Sequence, residues 1–319
     1  EQVMRGIDSP AFLCLSPNGR SLYAASEVPG RAEGVVGAYA VSTADGTLAP
    51  LGFQGMRGAW ASYLTMDSAG RALLLSDYGE GRVALMPVLA DGQLGEVASA
   101  HRHKGSGPNA ERQDQPHAHC IIASPDDRFA FAADLGTDRV FGYQLDLDDL
   151  ELVPHSELAL QPGSGPRHLV FAPDGRHAYL LCELEATVAA LAYDAAAGTF
   201  VHIETYPLLP ADYGGEKLSA DVHVHRSGRW LYASNRGHDS ITMFAIGEDG
   251  RLRLLGHRDS EGRAPRNFAI SPDGRFLLVA NQDSDTIVTM PIDPDTGLLG
   301  PTASVTETPT PVCLVFAPR

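Results

Sequence analysis

Five charged or ionisable side chains stand at fixed offsets from a repeated turn. His119, Arg167 and Arg266 each lie six residues before a turn proline, and Glu183 and Arg236 each lie seven residues after a turn arginine. Three guanidinium groups, an imidazole and a carboxylate in one place would suit an anionic substrate. Arginine forks grip carboxylate or phosphate through paired hydrogen bonds. A histidine or glutamate can activate water, and an arginine beside a carbonyl can stabilise an oxyanion. The bland alternative is that these groups form ion pairs that only tie neighbouring strands together.

The turn is what brings them into register. It reads Pro17-Asn18-Gly19-Arg20, Pro125-Asp126-Asp127-Arg128, Pro173-Asp174-Gly175-Arg176 and Pro272-Asp273-Gly274-Arg275, with looser copies ending at Arg71 and Arg229 and a cut-off one at Pro318-Arg319. Between arginines the intervals are 51, 57, 48, 53 and 46 residues. A strand-rich period near that length is the sequence mark of a β-propeller. One repeat shows the grammar. Asn267 to Ile270 reads as a strand and Pro272-Asp273-Gly274 as a turn, since proline presets φ and glycine accepts positive φ. Phe276 to Ala280 and Thr286 to Ile292 follow as strands, and Leu298 to Val305 as a weaker outer one. No helical period competes over a useful length.

The prediction is therefore an all-β, seven-bladed β-propeller of four-stranded antiparallel blades, one domain over residues 1–319. Inner strands should begin near Ala11, Ser62, His119, Arg167, Ala220, Arg266 and Val312. The last, Val312 to Phe316, ends the chain, while Val3 to Ile7 reads as an outer strand. The termini are expected to share an incomplete blade seven whose two middle strands are absent from this chain. Two polar insertions, His101 to Pro116 and Leu209 to Leu218, interrupt the period and are expected on the functional face.

In such a blade, strand two returns antiparallel to strand one. The start of the first and the end of the second then share one end, and the inner strands line the channel. That places His119, Arg167, Glu183, Arg236 and Arg266 around one mouth. His117, Asp134, Asn235, Asn281 and Gln282, at or within two residues of the same positions, are candidates for contacting the substrate. Asx-turn capping is the competing explanation for the aspartates.

Composition narrows the class. A formal net charge of −16 argues against nucleic acid and anionic membranes as partners. No apolar run reaches membrane-spanning length, and no signal peptide is visible. Cys14, Cys120, Cys182 and Cys313 sit scattered in apolar runs, which reads as buried thiols in a reducing, cytoplasmic setting. His117 and His119 with His101 or His103 resemble part of a metal set. Yet no acidic or cysteine partner stands at ligand spacing, so no metal and no cofactor is expected. There is no Gly-x-Ser-x-Gly elbow for a serine nucleophile. Gly105-Ser106-Gly107 lacks the strand-loop-helix context of a phosphate cradle.

Several segments resemble a known family: Gln115-Pro116-His117-Ala118-His119, Ala133-Asp134-Leu135-Gly136-Thr137-Asp138-Arg139, Gly165-Pro166-Arg167-His168, Ser234-Asn235-Arg236-Gly237-His238-Asp239-Ser240-Ile241 and Pro265-Arg266-Asn267-Phe268. The chain is similar, from about Ser9 to Pro318, to the propeller lactonases, which include 6-phosphogluconolactonase and carboxy-cis,cis-muconate cyclase. The resemblance implies metal-free hydrolysis of 6-phosphogluconolactone to 6-phosphogluconate in the pentose phosphate pathway. It implies His119, Arg167, Glu183 and Arg236 as the active-site positions. On that reading Arg236 and Arg266 hold a phosphate or carboxylate and Arg167 polarises the ring carbonyl. His119 or Glu183 deprotonates the attacking water. A muconate-lactonising cyclase and a non-catalytic binding propeller are the alternatives.

Overall fold

The computed structural model describes residues 2–28 and 33–317, and their strands fall into six antiparallel sheets of four. The chain divides into two compact units, one running up to Pro162 and including Ala317, the other Gly163–Phe316. Each unit holds three sheets.

In the first unit, sheet one is β1 (Pro10–Leu15), β2 (Ser21–Ser26), β3 (Val35–Val41) and β4 (Leu48–Gly55). Sheet two is β5 (Ala61–Met66), β6 (Ala72–Asp77), β7 (Arg82–Pro87) and β8 (Ser99–Arg102). Sheet three is β9 (Ala118–Ala123), β10 (Phe129–Asp134), β11 (Arg139–Asp146) and β12 (Glu151–Ala159). In the second unit, sheet four is β13 (Pro166–Phe171), β14 (His177–Cys182), β15 (Thr187–Asp194) and β16 (Thr199–Pro207). Sheet five is β17 (Ser219–Val224), β18 (Trp230–Asn235), β19 (Ser240–Ile246) and β20 (Leu252–Asp259). Sheet six is β21 (Pro265–Ile270), β22 (Phe276–Asn281), β23 (Thr286–Pro291) and β24 (Ser304–Glu307).

Every sheet is a plain meander, as short hairpin turns dictate. At the β13–β14 turn, Asp174 accepts the backbone N–H of Arg176 and His177 at 2.9 and 3.1 Å, and Gly175 sits at φ 65°. Second strands such as β10 (FAFAAD) are buried along their whole length. Sheets pack face to face within each unit, with Tyr23, Leu73 and Met86 in one such core and Tyr179, Leu181, Leu231 and Phe244 in another. That is the packing of propeller blades.

A second device repeats between blades. Tyr23, Tyr179 and Tyr232 each stand three residues after a turn arginine, and their hydroxyls donate to the carbonyls of Gly92, Gly250 and Gly297 at 3.0, 3.0 and 2.8 Å. Each acceptor belongs to the β3–β4-type outer turn of the next sheet. Tyr179→Phe is expected to lower stability by about 1 kcal/mol, because the buried Gly250 carbonyl loses its donor. Chemical denaturation of the two proteins checks it.

The terminal segments differ from expectation. Neither Val3 to Ile7 nor Val312 to Phe316 forms a strand. Gln2 pairs through its side-chain amide with the backbone of Leu48, while Leu314 N–H donates to Asn267 Oδ1 at 2.7 Å. Each end is thus held by side chains instead of a strand ladder. The turn copy at Pro318-Arg319 lies outside the described residues.

Candidate active site

In all six sheets the pairing of strand one with strand two slips at the same place. The skipped residues are Ala11, Ser62, His119, Arg167, Ala220 with Asp221, and Arg266. A bulge leaves its extra residue out of the ladder and re-aims its side chain. His119, Arg167 and Arg266, singled out by counting six residues back from the turn, are therefore among those the backbone releases from strict alternation.

In the second unit this brings three of the expected residues into direct contact. Glu183 Oε2 lies 2.9 Å from Arg167 Nε and 2.9 Å from Arg236 Nη2, with the Arg167 and Glu183 side chains only 3% and 2% exposed. Arg167 Nη1 also donates to the Ala220 carbonyl. Arg236 Nη2 reaches Ser219 O at 3.4 Å. Arg266, half-buried at its bulge, adds a third positive charge that acts on Arg167. Burial, together with Arg236 and Arg266, pushes the Arg167 pKa below the usual guanidinium range while Glu183 opposes the shift. A carboxylate oxygen shared by two guanidinium groups is already occupied by donors and makes a poor base. Two arginines on one acid leave the trio with a net positive charge.

Beneath Arg167 lies a network that the spacing argument missed. Asp221 Oδ1 accepts from His168 Nδ1 at 2.8 Å; its Oδ2 faces His223 Nε2 at 3.0 Å and accepts from Asn267 Nδ2 at 2.6 Å and Phe268 N at 3.2 Å. Burial opposes its charge, yet these histidines hold the Asp221 carboxyl well below the ordinary carboxylate range. Burial, and then Arg167, pull His168 down to about 4. Burial also works against a charge on His223, but Asp221 outweighs it and the pKa is raised.

These shifts set a pH profile of stability. His168 binds its proton in the unfolded chain near pH ~6.5 but in the fold only near 4. Its contribution is present above pH ~6.5 and is lost as pH falls towards 4, by about 3 kcal/mol. His223 has the opposite sense: its contribution is complete below its unfolded pKa and is lost as pH rises through its raised one. Tm is expected to peak near pH 6.5 and to fall towards pH 4 (calorimetry across that range). In His168→Asn the acid limb should flatten.

The first unit carries its own histidine cluster. His117 stacks on Tyr78 with ring centroids 4.3 Å apart, and His119 meets the same ring edge-on at 5.5 Å. His117 Nδ1 contacts Tyr78 O at 2.8 Å. His103, buried against Phe141, binds Asp134 Oδ2 at 2.6 Å and Tyr143 Oη at 2.9 Å. Both ring nitrogens of His103 are engaged, so it does not join a ligand set. Among the described residues no group of three or more His, Cys, Asp or Glu is placed to hold a metal ion.

Three of the expected substrate contacts are structural ties. Asp134 accepts His117 N–H and Thr137 N–H through Oδ1. Asn235 binds Ser219 Oγ, Ser240 Oγ and Thr242 Oγ1, and Asn281 donates to Ser260 O. All three are fully buried, because the loop before strand one must be fastened to the end of strand two. Gln282 opens the short 3₁₀ turn Gln282–Ser284 and is partly exposed. The insertion loops press on this end of the sheets. A Cβ on Gly136 would collide with Gln115 O, and one on Gly237 with Glu216 O.

Six four-stranded antiparallel meanders, with a buried arginine–glutamate centre in the second unit, define an all-β, propeller-type protein. The family described as "Lactonase, 7-bladed beta-propeller" matches residues 1–316, and the chain belongs to it. A 6-phosphogluconolactonase of Bacillus subtilis (strain 168) is 33% identical over 311 residues, 97% of this chain and 88% of its own length. A 6-phosphogluconolactonase of Formosa agariphila is 34% identical over 307 residues, 93% of this chain and 86% of its own. The solved periplasmic gluconolactonase of Pseudomonas aeruginosa superposes with TM-score 0.88 at 34% identity, covering 95% of this chain and 86% of that one.

Proposed function

We propose that this protein hydrolyses a sugar-acid lactone, 6-phosphogluconolactone to 6-phosphogluconate. The observation that carries the reading is the Glu183 clamp on Arg167 and Arg236, a buried centre of net positive charge in a chain whose relatives bear that enzyme's name. Water adds to the ring carbonyl, and Arg167 stabilises the oxyanion that forms. Collapse breaks the ring C–O bond, and the departing oxygen takes the proton removed from water. Arg236 and Arg266 hold the anionic end of the substrate. His119 is the proposed base, since Glu183 is engaged by two cations. His117 and Gln282 are proposed as flanking contacts.

The proposal includes a seventh blade, the number that the family's description carries, with Val3 to Ile7 and Val312 to Phe316 as the segments at its place. It also includes a cytoplasmic setting. No helix among the described residues is long and apolar enough to cross a membrane. Since one relative is periplasmic, cell fractionation is the direct test of location.

The assay is base uptake at constant pH with 6-phosphogluconolactone, against a control without protein because this lactone opens on its own. Saturable acceleration is the expected result. No acceleration with saturable binding of the product would transfer the site to a binding module. Faster turnover of unphosphorylated gluconolactone would move the substrate assignment to the simpler sugar acid.

A further inference from the structure

We propose that His168 and Asp221 are positioning residues for this reaction, fixing the pose of Arg167 from beneath. The inference rests on the lactonase reading above. Arginine is a long, flexible side chain, and an oxyanion donor acts best when it is aimed before the charge develops. Glu183 fixes Arg167 through Nε, and the Ala220 carbonyl takes a bond from Nη1. The same Nη1 lies 3.1 Å from His168 Nε2 and 3.4 Å from its Nδ1, over the face of the imidazole ring.

A guanidinium over a ring face is attracted to it only if the imidazole is neutral. Asp221 fixes the ring that presents this face. Its Oδ1 lies 2.8 Å from His168 Nδ1, so the proton of the neutral imidazole resides on Nδ1 and the ring plane is held. Asp221 is itself held on all sides. Val222 N–H and Phe268 N–H donate to it at 3.0 and 3.2 Å, and Asn267 Nδ2 at 2.6 Å. Asn267 in turn accepts Leu314 N–H at 2.7 Å, so the C-terminal segment braces the carboxylate. The charged groups facing His168 are Arg167 on its own strand, Asp221 and His223 on β17, and the more distant Glu183, Arg236 and Arg266. Burial and the Arg167 charge keep His168 neutral in the working range, which preserves the contact of the guanidinium with the ring face.

The test is His168→Asn, whose amide N–H can still reach Asp221 while no ring face remains against Arg167. We expect kcat to fall about tenfold with KM little changed. A residue that acts through Arg167 has nothing left to do once Arg167 is gone. Arg167→Ala and Arg167→Ala/His168→Asn are therefore expected to show equal kcat. Losses that add, or an unaltered kcat in His168→Asn, overturn the proposal.

Nitrogen-15 NMR of the imidazole gives a readout independent of turnover. His168 should be protonated on Nδ1 and should not titrate between pH 8 and 5. A proton on Nε2, or titration near the ordinary histidine value, overturns the proposal. If the wild-type protein fails to accelerate lactone opening, the lactonase reading falls and the relay is judged on the NMR alone.

Discussion

Arg167→Ala is expected to lower kcat by about 10²–10³, the loss found when a main oxyanion donor is removed. The fold should survive it. Glu183 keeps its ion pair with Arg236 at 2.9 Å, and one of three neighbouring cations disappears, which relieves their mutual repulsion. The remaining penalties are a cavity and the Ala220 carbonyl left without its donor. Activity and stability should therefore separate, with a large fall in kcat and a Tm lower by only a few degrees. Arg167→Lys keeps a charge but not a planar fork that can meet Glu183, Ala220 and His168 at once. It should recover no more than about a tenth of the lost activity. Steady-state kinetics beside thermal melts decide the matter. A kcat within tenfold of wild type in Arg167→Ala would remove Arg167 from the reaction.

How far the sequence reached depended on how local the physics was. The Pro-Asp-Gly turns were legible because proline, an Asx bond and a left-handed glycine act within four residues, as at Asp174 and Gly175. From them followed the six meanders and the positions of His119, Arg167, Glu183, Arg236 and Arg266. What was not legible depends on partners far apart in the chain. His168 and Asp221 are separated by 53 residues, and nothing in either strand announces their pairing. The bulges at the expected mouth residues come from strand-to-strand packing, which a count along one strand cannot see. Asp134, Asn235 and Asn281 read in the sequence as substrate contacts because short amides and carboxylates that greet a ligand also fasten loops. Only burial and partners separate the two uses. Val3 to Ile7 and Val312 to Phe316 have strand-like composition, but a strand also needs a paired neighbour. The tyrosine staple did have a signal, a tyrosine three residues after the turn arginine in three repeats.

Glu183→Gln is expected to do the reverse of Arg167→Ala and to strike the fold hardest. The bland alternative raised by the sequence, that these ions tie blades together, is physically true of this residue. Glu183 follows β14 and Arg236 follows β18, so their pair joins sheet four to sheet five. With the carboxylate neutralised, the buried guanidinium of Arg167 faces Arg236 and Arg266 with no counter-charge in the trio. Removing one partner of a buried ion pair costs about 3–5 kcal/mol. In a chain of this size that corresponds to a Tm fall of about 10 °C. Because the defect is excess positive charge, a bound anion should offset it. Inorganic phosphate should raise the Tm of Glu183→Gln more than that of the wild type, by mass action on the folded state. Replacing the trio together, as Arg167→Met/Glu183→Leu/Arg236→Met, should recover stability while abolishing turnover, since no charge of the trio is then left buried. If Glu183→Gln melts with the wild type and phosphate shifts both equally, the clamp does not hold the sheets. Its carboxylate would then return to the list of candidate bases.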